Sequence, residues 1–243
     1  GLDYRVEYYH QFGDGALLAA SSDQAAAYAT AATQNSDIDR DAYLFGIRVG
    51  KTFKNARFSP TFTLWYDNKS GQDDDNITGN EYGAFHTVLD TGHKFYGLLD
   101  NYLSDIGDDT QRYGLEDIAI KAKFNVSEKN VFKVDWHQFL TQTDLEGSDS
   151  NTIRASGTAT TGGAFSTAIS NGGALGNDLG QEIDLTLVHK YDANTKIVTG
   201  YSHYFTTLTH SLLNGSGAGD NTVDQNDDQS WFYMMIDRSE ERR

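Results

Sequence analysis

The feature that most constrains the fold is the rhythm of connections between two-faced segments. "KNA" (Lys54–Ala56), "NVSEKN" (Asn125–Asn130) and "DANT" (Asp192–Thr195) are short, whereas Gly13–Asp41, Asn68–Gly114, Thr143–Asp178 and Thr207–Asp228 are long. Loops beyond ~15 residues are uncommon in soluble domains, so strict alternation of long loops with tight turns is not expected there. A transmembrane β-barrel of the outer-membrane kind has this pattern, with short turns on the periplasmic side and long loops outside.

The segments between these connections alternate with period two. "LDYRVEYYHQF" sets Leu2, Tyr4, Val6 and Tyr8 against Asp3, Arg5 and Glu7. "AYLFGIRVGKTF" sets Tyr43, Phe45, Ile47, Val49 and Phe53 against Gly46, Arg48, Gly50 and Thr52. "RFSPTFTLWYD" (Arg57–Asp67) opposes Phe58, Phe62, Leu64 and Tyr66 to Ser59, Thr61 and Thr63. "LEDIAIKAKF" opposes Ile118, Ile120, Ala122 and Phe124 to Asp117, Lys121 and Lys123. "VFKVDWHQFL" opposes Phe132, Val134, Trp136 and Leu140 to Lys133, Asp135 and His137. In the hairpin "LGQEIDLTLVHKYDANTKIVTGYSHYF", Ile183, Leu185 and Leu187 oppose Glu182, Asp184, Thr186 and Lys190. "QSWFYMMID" (Gln229–Asp237) adds a last strand whose facing the pattern leaves open, which brings the expected strands to eight.

One segment, "HKFYGLLDNYL" (His93–Leu103), also looks like a strand, but as a spanning strand it would invert every later one. It is therefore expected within the connection between the third and fourth strands, folded into the lumen. The alanine-rich Gly15–Gln34 reads equally as a short helix or as a small-residue loop. The opening "GLDYRVEYY" has no signal-peptide pattern and starts directly on a strand, so a removed leader and a start inside a domain are expected.

Composition narrows the function classes. The net charge of -16 argues against nucleic-acid partners, which require Lys and Arg to neutralise phosphates. With no cysteine, disulfide frameworks and thiolate metal sites are excluded. No apolar run approaches the ~20 residues of a membrane helix, which leaves barrel strands open. "DDDNITGNE" (Asp73–Glu81) is dense enough in carboxylates for a hard cation, but it lacks calcium-loop spacing and reads as a solvated outer loop. "GSGAG" (Gly215–Gly219) lacks the strand-to-helix context of a phosphate cradle. The histidines show no ligand spacing, His137 and His203 being expected on strand faces, and no Ser, His and acid set assembles. No enzyme activity, cofactor or metal site is expected.

Several motifs resemble the alginate-export family of outer-membrane barrels. They are "DYRVEYYHQFG", "YLFGIRVGKTFKNARFSPTFTLWYDNKSGQDDD", "NEYGAFHTVLDTGHKFYG", the Leu179–Phe205 hairpin and "DDQSWFYMM", in the family's order. The resemblance implies an all-β, antiparallel transmembrane β-barrel, with about eight strands in this chain forming the C-terminal portion of a barrel of about eighteen. Residues 1–237 would be barrel and 238–243, "RSEERR", a charged tail where the family usually ends on an aromatic. It further implies an outer-membrane channel of a Gram-negative bacterium for passive passage of a polysaccharide or other polar solute. Partners would be membrane lipid and lipopolysaccharide, the solute, and periplasmic export proteins. The alternatives are a small eight-stranded structural or adhesive barrel with partner-binding loops, and a soluble glycan-binding β-sandwich.

With the apolar face against lipid, the polar face lines the lumen. The expected pore-lining residues are Arg5, Arg48, Lys121, Lys123, Lys133 and Lys190, with Asp117, Asp135, Glu182 and Asp184, and also Asp3 and Glu7. A polyuronate path calls for a cationic pore, yet both signs occur in similar number. Lys121, Lys123 and Lys133 either form an anion-attracting patch or pair with Asp117 and Asp135 across the ladder. Tyr8, Tyr43, Phe53, Tyr66, Trp136, Tyr201 and Trp231 are expected in an aromatic girdle.

Overall fold

A computed structural model describes residues 1–15, 38–72, 81–86, 96–102, 110, 113–143, 176–207, 209–210 and 228–239. The stretches expected as an alanine-rich helix or loop (16–34), an acidic loop (73–80), a glycine-rich loop (215–219) and most of the charged tail (240–243) lie outside these.

The strands are β1 (Leu2–Gly15), β2 (Ile38–Thr52), β3 (Thr61–Lys69), β4 (Glu81–Tyr82), β5 (Leu115–Asn125), β6 (Asn130–Leu140), β7 (Asp178–Lys190), β8 (Thr195–Thr206) and β9 (Gln229–Arg238). They form one sheet in the order β1-β2-β3-β5-β6-β7-β8-β9, with antiparallel pairing between consecutive long strands. The eight expected strands are the eight long ones. β4, which periodicity is too short to reveal, pairs in parallel with Asp39 and Arg40 of β2.

Register keeps the two periodic faces in phase across the sheet. On one face Val49, Leu64, Ile120, Trp136, Ile183 and His203 stand in one row. On the other, Arg5, Arg48, Trp65, Ala119, His137, Glu182 and Tyr204 stand in another. A one-residue slip of any strand would mix these rows. The burial is inverted relative to a soluble fold: Leu64, Ile120 and Met234 are 61%, 46% and 67% exposed, whereas Asp117, His137 and Glu182 are 0% exposed. The last strand joins the same scheme, with Phe232 and Met234 on the apolar face and Trp231 and Tyr233 on the polar one.

The tight turns are held by local polar contacts. In Asp192–Thr195, Asp192 Oδ1 accepts the backbone N–H groups of Asn194 (2.8 Å) and Thr195 (2.7 Å). Those bonds, the Asn194 N–H foremost, lower the Asp192 carboxyl below its ordinary value. The β2–β3 turn is longer than "KNA" suggests, and β3 begins at Thr61 rather than Arg57. Phe58 (φ 66°) and Ser59 (φ 40°) are left-handed, Pro60 has no N–H for the ladder, and the Phe53 N–H closes the turn on the Pro60 carbonyl at 2.8 Å.

At the other end, β3 and β5 leave the sheet past one another with no room for side chains. Gly114 has φ 72°, and a Cβ there would lie 2.4 Å from the Lys69 carbonyl oxygen. A Cβ on Gly71 would lie 2.2 Å from the Tyr113 carbonyl oxygen. Gly114→Ala is expected to cost at least the ~1–3 kcal/mol of a strained left-handed residue, seen as a lower midpoint in heat unfolding followed by circular dichroism. An unchanged midpoint would contradict this crossing.

Candidate functional site

The polar face carries charges in contiguous rows, and register decides which of them meet. Asp67 and Asp117 lie directly opposite on β3 and β5, and each carboxylate turns to a different side chain. Arg48 lies 3.6 Å from Asp67 and 3.1 Å from Glu7, with its guanidinium 3.5 Å from the centre of the Trp65 ring. Gly46, opposite Asp67, leaves room for that carboxylate: a Cβ there would stand 2.6 Å from Oδ1. Asp117 instead takes the His137 ring, Nδ1 to Oδ1 at 2.8 Å, with both side chains buried.

Further from the long connections, Lys121 meets Asp135 at 3.6 Å and lies 4.7 Å from the centre of the Trp65 ring, which Arg48 also approaches. Asp184 accepts the Ser202 hydroxyl at 2.5 Å. Arg5 pairs with Glu7 at the β1 edge. The two alternatives for the lysines are therefore divided between residues. Lys121 pairs across the ladder, but Asp117 is committed to His137. Lys123 and Lys133 face one another in register, between Thr61 and Thr186, and both are exposed. Lys190 is exposed too, and among the described residues these three lysines form no ion pair.

The segment 96–102, the described part of His93–Leu103, is not a strand, and its contacts with Glu182 and Tyr204 seat it on the polar face. Glu182 Oε1 accepts the backbone N–H groups of Leu98 (2.7 Å) and Leu99 (2.9 Å). Tyr102 packs on Phe139 of β6, ring centres 4.7 Å apart, and its hydroxyl reaches Tyr204 of β8. One proton assignment serves this cluster: His210 Nδ1–H donates to Tyr102 (2.9 Å), Tyr102 to Tyr204, and Tyr204 to the Leu179 carbonyl (2.5 Å).

Sequence reasoning missed Asp67, Trp65, Ser202 and Tyr204 as members of this face. For the first two the signal was present, since both share parity with Thr61 and Thr63. Tyr102 and His210 lie in connections, where no periodicity points to a partner. Trp231 leaves the expected girdle: it pairs with Ser202 on the polar face and stacks on Tyr233 at 4.7 Å. A Cβ on Gly200 would meet the Tyr233 ring at 2.1 Å, so the glycine opposite makes room for that ring. Tyr66, Trp136 and Tyr201 do share the apolar face's register rows.

Two measurements check these contacts. Removing Arg48 leaves nearly buried Asp67 opposite Asp117, so Arg48→Ala is expected to cost about 3–5 kcal/mol in denaturant unfolding. Adding Asp67→Asn to that variant should recover part of the loss. Burial lowers His210 from its ordinary 6.5 to about 4. The unfolded chain takes up this proton first, so the stability present above pH 6.5 declines as pH falls toward about 4. His210→Gln should flatten that part of the stability–pH curve.

The model of the alginate export family matches residues 1–207. Comparison with curated proteins finds no match. The matched span takes in β1 to β8, the whole Arg48–Glu182 row and the segment seated on it, and the chain belongs to the alginate export family.

Proposed function

We propose that this chain is wall of an outer-membrane channel in a Gram-negative bacterium, and that a polysaccharide or other polar solute passes its polar face without chemical change. The observation that carries this reading is the inverted burial, a broad exposed apolar face backed by buried carboxylates and histidine. Exposed apolar surface on that scale needs a covering, and lipid supplies one over all eight long strands at once. Hydrocarbon does not tolerate unpaired strand edges, so β1 and β9 pair with each other or through further strands. Residues 1–237 are then barrel wall, with lipid and lipopolysaccharide against its apolar side. Membership of a transport family points the same way.

Arg5, Arg48, Lys121, Lys123, Lys133 and Lys190 line the lumen in this reading, with Asp117, Asp135, Glu182 and Asp184. The inner acids need not make it an anion barrier, because each of them has a partner on the face, Asp184 the Ser202 hydroxyl among them. Asp67 has Arg48, Asp117 has His137, Asp135 has Lys121, and Glu182 has two amides. Lys123, Lys133 and Lys190 are the cations left facing outward from the wall, and a fixed charge at that position selects anions. They lie toward the tight-turn end, where export partners in the periplasm would deliver an acidic chain.

A second reading, a structural barrel with a plugged interior, draws on the segment 96–102 seated on the polar face. Planar-bilayer recording of the full-length protein separates the two. The channel reading expects stable conductance with anion preference, reduced in a Lys123→Gln, Lys133→Gln double variant and shifted toward cations. Folded protein that never conducts would favour the plug.

A further inference from the structure

We infer that the segment 96–102 is a constriction of this channel and that the Glu182 carboxylate is the residue that positions it. The inference rests on the channel reading above, and it assigns to one wall side chain the control of which polymers fit.

The contact is built from both sides. On the wall, Glu182 stands in the polar row between His137 and Tyr204, fully buried, and among the described residues it forms no ion pair. His137, its neighbour in register, is already committed to Asp117. Its Oε1 is taken instead by the Leu98 and Leu99 amides, two backbone donors onto one oxygen of a buried carboxyl group. On the segment, Tyr96 (φ 58°), Gly97 (φ 83°) and Asp100 (φ 59°) turn the backbone so that successive amides aim at the wall. Gly97 admits the carboxylate at a distance no side chain would allow: a Cβ there would lie 2.4 Å from Glu182 Oε2.

This arrangement has a consequence for an acidic cargo. A bare carboxylate halfway along the wall would repel a polyanion. Covered by two amides, it becomes the anchor of a backbone segment that narrows the path and keeps the carboxyl group away from the cargo. Tyr102 against Phe139 and Tyr204 supplies the second, apolar anchor at the far end of the segment.

Single-channel recording in planar bilayers tests this on the full-length protein, with neutral polyethylene glycols of graded size as probes. Glu182→Ala removes the anchor from the wall, and Gly97→Ala displaces the segment without changing any charge. Both are expected to raise conductance by about twofold or more and to admit polymers that the unsubstituted channel excludes. In Glu182→Ala, added acetate is expected to bring conductance back toward the original value, as a free carboxylate refills the place beside the two amides. Gly97→Ala should not respond to acetate. Variants that fold to the compact heat-modifiable form yet keep the original conductance and size limit would overturn the inference. So would raised conductance in Glu182→Ala that acetate leaves untouched, which would point to general loosening of the wall. An unsubstituted protein that never conducts would instead remove the channel reading on which the inference stands.

Discussion

Antiparallel register carried across eight strands, with one shift where Phe139 and Leu140 meet β7, is the constraint on which the rest of this molecule depends. Each strand contributes alternate side chains to two faces, and in-phase pairing turns eight separate alternations into two continuous surfaces. One surface is apolar and exposed, from Leu2 at one edge to Ile236 at the other. The other concentrates charge so closely that acids such as Asp67 and Asp117 stand side by side. Neither surface is tolerable alone in water. The first needs an apolar covering, and the second needs its charges matched or hydrated.

The polar surface meets that need mostly by pairing across strands, Arg5 and Glu7 of β1 being a pair along one. Arg48 joins β1 and β3 through Glu7 and Asp67, while His137 ties β6 to β5 through Asp117, and Lys121 ties β5 to β6 through Asp135. Trp65 lies under both Arg48 and Lys121, so two cations share one ring and neither is free to leave the wall. Charges held this way tie neighbouring strands to one another. Lys123, Lys133 and Lys190 stand outside this pairing, since their register partners are lysines and threonines rather than acids. Glu182 follows a separate rule, since its partners are main-chain amides from a connection that the sheet itself does not require.

Much of the sheet was legible because period two survives any detail of packing. Leu64 and Ile120 on one face, and Arg48, Asp117 and Glu182 on the other, follow from alternation alone. The strand start at Thr61 was not legible, because Phe58 and Ser59 continue the alternation in letters while their left-handed backbone breaks it in space. Trp231 was misplaced because the last strand mixes aromatic and apolar residues on both faces, and only pairing with Ser202 fixes its side. The exclusion of His93–Leu103 from the spanning strands came from parity, a count over the whole chain. Its attachment to Glu182 could not come from any count, because the contact joins positions 83 and 84 apart in sequence through backbone amides. Pairing of individual charges was only half accessible for a similar reason: alternation named Asp117 and Asp135 as possible partners of the lysines, but nothing in it singled out Lys121 for Asp135 or announced that His137 would claim Asp117.

The central claim is that the polar face meets water inside a membrane while the apolar face meets lipid. The absence of cysteine makes this directly measurable. Single cysteines introduced at Thr63 and Leu64 of β3, and at Lys133 and Val134 of β6, can be probed in lipid vesicles with a water-soluble, membrane-impermeant thiol reagent. Labelling should alternate, with Thr63→Cys and Lys133→Cys reacting while Leu64→Cys and Val134→Cys stay protected until detergent removes the lipid. Equal labelling of neighbouring positions, or protection of the polar set with reaction of the apolar set, would contradict the account.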